Sequence, residues 1–147
     1  MTSSLADLFR KEYEPMVRLA YLLVSSEPAA EELVQDAFVA VHRHWGTIAN
    51  PGGYLRTSVV NACRSHQRRA GLERRRQPRP APPAELGADE LWDALAQLPH
   101  NQRAALVLRY YEDAHEADIA SALGVRPATV RSLVHRGLTQ LRKEIEP

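Results

Sequence analysis

Between residues 70 and 88 the chain reads AGLERRRQPRPAPPAELGA, dense in Arg and Pro with hardly any large apolar side chain. Such a stretch cannot bury enough surface to offset the entropy of ordering it. The sequence therefore predicts a flexible linker over 71–88, extended by its prolines, between one domain over 1–70 and a second over 89–147. Each half has to build its core from its own periodicity. None of the 147 residues lie in a segment with strand alternation, so the expected fold is all-α: two small helical domains joined by that linker.

In the first half, Leu5, Leu8, Phe9, Tyr13, Met16, Leu19, Ala20 and Leu23 recur at helical spacing, interrupted by Pro15, which is expected to kink or split the helix. Ser26 reads as an N-cap with Pro28 in the first turn, opening a second helix over about residues 27–45. Its apolar side is Ala30, Leu33, Val34, Ala37, Phe38, Val41 and Trp45, whereas Glu31, Glu32, Gln35 and Asp36 lie on more polar faces. By themselves these acids read as a solvated surface. Asn50-Pro51 caps and starts a third helix running to about Arg69.

That third helix buries Leu55, Val59, Ala62 and Cys63, and carries Thr57, Asn61, Arg64 and Arg68 as a polar stripe at i, i+4, i+7 and i+11, with Tyr54 beside it. An aromatic ring, an amide and two guanidiniums on one surface are what single-stranded DNA needs, the ring stacking a base and the cations following phosphates. The alternative is a basic exposed helix end with Tyr54 packed.

In the second half, Leu91, Trp92, Leu95 and Leu98 form an apolar pattern that breaks at Pro99, and a helix over about 101–112 turns Ala105, Leu106, Leu108 and Tyr110 towards a core. The stretch EADIASALGVRPATVRSLVHRGLTQLRK then reads as a helix-turn-helix: Ile119, Ala120 and Leu123, a stop at Gly124, and a restart at Pro127. At 100° per residue, Val130, Leu133, Val134, Gly137, Leu138, Leu141 and Ile145 share one arc of the last helix. Ala128, Arg131, Ser132 and His135 lie opposite, where a recognition helix reaches base edges. Arg126, Thr129 and Arg136 flank them and suit phosphates. A helical hairpin with a solvated polar face is the alternative.

Charge sharpens the picture. The whole chain is nearly neutral at +1, yet eight arginines against one glutamate put residues 51–80 at +7, between a first fifty residues at −3 and an acidic 81–115 at −4. That pattern suits a protein meeting a polyanion along one surface and another partner elsewhere. No apolar run approaches membrane-spanning length and no leader precedes the first helix, so the expected location is the cytoplasm, without membrane insertion. The single cysteine, Cys63, excludes an intrachain disulfide and reads as a buried thiol. His42, His44, Cys63 and His66 are the only hint of a metal or an enzyme; His42 and His44 point in different directions, and no carboxylate pair or phosphate loop accompanies them. No catalytic residue, metal or cofactor is expected.

Three blocks, AAEELVQDAFVAVHRHW, GGYLRTSVVNACRSHQRR and LPHNQRAALVLRYYEDAHEADIASALGVRPATVRSLVHRGLTQLR, occur in this order with a linker between the second and third. Together they resemble the bacterial extracytoplasmic-function sigma factors of the sigma-seventy family, closest to short actinobacterial forms. The resemblance implies region 2 and region 4 domains, core RNA polymerase and promoter DNA as partners, and room for an anti-sigma protein. It implies that Glu32, Leu33, Gln35, Asp36 and Phe38 contact polymerase, that Tyr54, Thr57, Asn61, Arg64 and Arg68 take the minus-ten element, and that the last helix takes the minus-thirty-five element as duplex. The chain departs from the family pattern with Tyr54 in the usual place of Trp, Thr57 where many members have Arg, Gly137 in the usual place of Ala, and no Ser or Thr cap at Arg126-Pro127. The recognition helix is therefore expected to be about 1 kcal/mol less stable than typical. The competing reading is a conventional helix-turn-helix regulator, which does not need the stripe from Tyr54 to Arg68.

Overall fold

In the computed structural model, residues 4–74 and 90–145 are described. They form seven α-helices and one short 3-10 turn, with no strand among the described residues: α1 (Leu5–Val24), α2 (Glu27–Arg43), the turn Trp45–Thr47, α3 (Pro51–Arg74), α4 (Glu90–Gln97), α5 (His100–Tyr110), α6 (Glu116–Leu123) and α7 (Pro127–Ile145). The all-α expectation holds. Most of the segment expected to be a linker lies outside the described residues, and α3 continues to Arg74, beyond the expected end near Arg69.

Local signals explain the starts. Ser4 and Asp7 form a reciprocal capping box on α1, and the Ser26 hydroxyl accepts from the Ala29 N–H at 3.3 Å at the head of α2. Asn50 Oδ1 accepts from the Gly53 N–H at 3.1 Å at the head of α3. Pro15 does not split α1. It removes one N–H, whose acceptor would be the carbonyl of the exposed Lys11, while Met16, Leu19, Ala20 and Leu23 hold the following turns in the core. The second helix ends at Arg43 rather than Trp45, because His44 leaves helical geometry at φ −111° and ψ 16°.

The amino-terminal half is a three-helix bundle, α1 and α2 packing on α3 through Leu19, Leu23, Val34, Val41, Leu55 and Val59. In the carboxy-terminal half α5 lies against α6 and α7, and α4 packs on α7. Gly137 makes the α5–α7 approach possible: a Cβ there would meet Leu106 Cδ1 at 2.9 Å. A residue that costs helix propensity thus gives room to a buried leucine. Gly124, at φ 68°, supplies the left-handed turn that ends α6.

Four apolar assignments need correction: Phe9 and Leu91, grouped by periodicity with core residues, are 44% and 45% exposed. Tyr110, expected in the core, is 63% exposed at the last residue of α5, and Ile145 is 36% exposed at the end of α7. Both follow from position, since each stands where its helix runs past its neighbours.

The halves also pack on each other. The helices α1 and α3 meet α5, α3 meets α6, and buried side chains of both halves form one continuous cluster. Across this seam the Trp92 ring sits edge-on to Tyr21, with centroids 5.5 Å apart.

Candidate nucleic-acid interface

The two basic surfaces predicted from periodicity stand differently. On α7, Ala128, Thr129, Arg131, Ser132, His135 and Arg136 are all exposed, as is Arg126 ahead of the helix, while Val130 is buried behind them at 1% exposure. The helical period dictates this split: Val130 faces inward, and the neighbouring positions point out. Arg131 is steadied by Glu116 of α6, Nε to Oε1 at 3.7 Å, a pair exposed enough that solvent screens it.

On α3, Tyr54, Asn61 and Arg68 are exposed, whereas Thr57 and Arg64 are partly covered. Arg64 Nη1 donates to Asn61 Oδ1 at 3.1 Å, so two members of the predicted stripe are joined within the helix. Its Nη2 reaches the other half, donating to Asn101 Oδ1 at 3.0 Å and to the Leu123 carbonyl at 3.4 Å. Tyr54 and Thr57 line a cleft of about 580 Å³ with His44 and Asn50, and Asp118 and Ser121 of α6 form its opposite wall. A cleft with an aromatic, an amide and hydroxyls along its walls can receive an unstacked base.

A buried network lies beside the stripe. Gln67 Nε2 donates to the Leu23 carbonyl, and Gln67 Oε1 faces His100 Nδ1. Because a carbonyl can only accept, the amide nitrogen must face Leu23; its oxygen then accepts from Nδ1–H, and Nε2 is left as a bare lone pair. Burial, reinforced by the guanidiniums of Arg64, Arg103 and Arg68, lowers this imidazole to about 4 and keeps it neutral. Arg103, 3% exposed, donates through Nε to the Leu22 carbonyl and through Nη2 to Ser25 Oγ, each at 2.7 Å. With the Ser25 N–H on the Tyr21 carbonyl, three carbonyls in the last turn of α1 are answered, two of them by side chains from α3 and α5. Arg103 escaped the sequence reading because its acceptors lie 81 and 78 positions away and carry no side-chain charge.

Among the described residues, three buried side-chain polar atoms have no protein partner: Arg56 Nε, His100 Nε2 and Glu112 Oε1. Each costs about 1–3 kcal/mol unless water reaches it. Glu112 is pushed up mainly by its burial, against the pull of Arg56 and with the help of Glu12. Cys63 is wholly buried, and burial raises its thiol to about 12, so it is an inert core residue.

On α2, Glu32, Gln35 and Asp36 are exposed, while Leu33 and Phe38 are buried at 8% and 7%. Phe38 packs against Phe9 and Tyr13, and Gln35 Nε2 donates to the Tyr13 hydroxyl at 3.4 Å. Val39, one turn beyond Asp36 on the same face, is 49% exposed and was missed. The i, i+3, i+4, i+7 spacing from Glu32 would have found it. No group of three or more His, Cys, Asp or Glu among the described residues is placed to hold a metal, and no described helix is long and apolar enough to cross a membrane.

Comparison with known proteins agrees with both halves. Residues 8–73 match the sigma-70 region 2 family and residues 88–141 match sigma-70 region 4. The chain is 33% identical to the RNA polymerase sigma-E factor of Streptomyces avermitilis, over 93% of this chain and 82% of that one. It is 36% identical to the ECF RNA polymerase sigma factor SigE of Mycolicibacterium smegmatis, over 92% of this chain and 59% of the longer relative. Its fold matches the sigma factor RpoE of Bartonella quintana, solved with the anti-sigma factor NepR, at a TM-score of 0.77 and 23% identity, covering 96% of each chain. A conventional regulator would need only the second of the two family matches. With region 2 and region 4 in order along one short chain, this protein belongs to the sigma-70 family, among the extracytoplasmic-function RNA polymerase sigma factors.

Proposed function

We propose that the two halves divide the family's task, directing RNA polymerase to promoters, between duplex anchoring and strand capture. The outward face of α7 anchors the minus-thirty-five element, with Ala128, Arg131, Ser132 and His135 near base edges and Arg126, Thr129 and Arg136 on phosphates. The stripe of Tyr54, Thr57, Asn61, Arg64 and Arg68 holds the minus-ten element as a melted strand, with an unstacked base in the cleft beside Tyr54. Glu32, Gln35 and Asp36 dock on core polymerase, with Leu33 and Phe38 supporting that surface from beneath. The chain works in the cytoplasm and supplies no catalytic group, nucleotide transfer belonging to the polymerase. An anti-sigma protein is a further partner consistent with this reading.

The observation that carries the division is the contrast between an α7 face with every predicted reader exposed and a cleft beside α3 that combines Tyr54, Asn50 and Thr57. Transcription in vitro with core polymerase over a randomised promoter library tests the whole reading and returns both elements at once. Within that assay Asn61→Ala is expected to impair open-complex formation more than duplex binding. Equal loss of both would overturn the division.

A further inference from the structure

Of the three arginines on the outward side of the helix-turn-helix, Arg126, Arg131 and Arg136, only Arg131 has an acid beside it among the described residues: its Nε lies 3.7 Å from Oε1 of Glu116. Glu116 is the first residue of α6, where the positive end of the helix favours a carboxylate. Its side chain is 32% exposed against 68% for that of Arg131, so the acid is the better-held partner. The corner between α6 and α7 is packed, with Ile119 and Val130 buried and Gly124 making the left-handed turn. A carboxylate at a fixed place thus stands beside a long, exposed arginine.

The atoms that meet matter. Guanine presents O6 and N7 to the major groove, and a guanidinium reads them together through two parallel N–H donors. Glu116 is approached by Nε, the nitrogen on the stem side, which leaves the terminal Nη1–Nη2 edge of Arg131 for that fork. An arginine narrowed to one arc in advance loses less rotamer freedom on binding. One without such a partner can turn instead to a phosphate, which carries no sequence information. The pair is weak in water, but an apposed duplex displaces water and strengthens it. On overall affinity the carboxylate acts in the other direction, because it faces a polyanion.

Resting on the reading of α7 as the duplex-anchoring helix, we infer that Glu116 is a positioning residue that sets base preference: it aims the Nη1–Nη2 fork of Arg131 at a guanine and lowers general affinity for DNA in doing so. Glu116 itself touches no base. Its signature differs from that of a purely structural pair. Removing the charge weakens preference at one base pair and strengthens retention of duplex of any sequence, whereas a damaged α6–α7 corner lowers both together.

The test loads the full chain on core RNA polymerase and equilibrates it with a randomised duplex pool. Sequencing the retained molecules gives base preference, and the retained fraction at matched concentration, less that of core polymerase alone, gives general affinity. The wild type is expected to select a guanine at one position by on the order of 10- to 100-fold, and Arg131→Ala to lose that selection. Glu116→Gln is expected to lower selection at that position alone by about three- to tenfold and to raise the retained fraction of unselected duplex. In the Arg131→Ala background Glu116→Gln should change no base preference. The inference is overturned by a Glu116→Gln chain that keeps the wild-type selection, by one whose selection falls alike at every position, by a retained fraction that falls with it, or by a change of preference that survives removal of Arg131. If Arg131→Ala loses the guanine and Glu116→Gln does not, the reading of α7 stands and Glu116 has no part in it. An Arg131→Ala chain that selects as the wild type does overturns both.

Discussion

The outward face of α7 and the stripe on α3 both carry cations and hydrogen-bonding side chains at helical spacing, yet they differ in what touches them. Every proposed reader on α7 is exposed, and the ionic contact of that face among the described residues, Arg131 with Glu116, is loose and screened. On α3, Arg64 is held by Asn61, Asn101 and Leu123, and its neighbour Gln67 by His100 and Leu23. The face proposed to read duplex DNA thus stands open, whereas part of the stripe proposed to hold unpaired strands is occupied by contacts with the other half. Helical period specifies the first kind of surface; tertiary contacts govern access to the second.

The largest test of that contrast concerns the scaffold of α7. Gly137→Val drives side-chain atoms into Leu106 and is expected to cost about 1–3 kcal/mol of stability, weakening duplex binding although it touches no reader; denaturant midpoints and a duplex titration measure both. An equal fall in oligothymidine binding would mean that the two surfaces are not independent. Next in size, Arg131→Ala is expected to weaken promoter binding by about 1–3 kcal/mol and relax sequence preference if it contacts a base. A uniform loss over all sequences in a competition assay would mark it as a phosphate contact.

Acid should act on the packing of α3 against α5, through His100. Burial lowers His100 to about 4 against an ordinary 6.5, so its contribution to the stability of the folded chain is fully present above about 6.5 and is lost as pH falls from there through about 4. Glu112, raised by burial, works in the opposite direction, its contribution fading as pH rises through its raised value. His100→Gln separates them: the loss of stability on acidification expected of the wild type, followed by denaturant midpoints across that range, should shrink in this variant. The smallest effect belongs to Glu116→Gln, which releases Arg131. With the pair's side chains 68% and 32% exposed, stability should change by less than about 1 kcal/mol, and a melt curve shifted far beyond that would show the pair to be structural.

What was legible in the chain was local. The caps at Ser26 and Asn50, the stop at Gly124 and the burial of Val130 behind six exposed neighbours all follow from signals within a turn or two. Ends and gaps were read less well: Pro15 looked like a break because periodicity carries no measure of how firmly Leu19 and Leu23 are held, and Tyr110 looked buried because nothing in its spacing says where α5 outruns its neighbours. Gly137 read as a defect in α7 until Leu106 was seen to fill the space. The docking of the halves was not legible at all. Arg103 and Arg64 answer backbone carbonyls, and every residue has one, so no pattern of side chains announces the match.

The completion of α1 by Arg103 has a consequence in time. Translation makes α1 first, but the residue that answers its Leu22 carbonyl arrives 81 positions later, a wait of about 4–16 s at ordinary elongation rates of roughly 5–20 residues per second. During that interval α3 has been made and α5, which packs on it, has not. A nascent chain therefore carries the end of α1 with its Leu22 carbonyl left to water until α5 has been made.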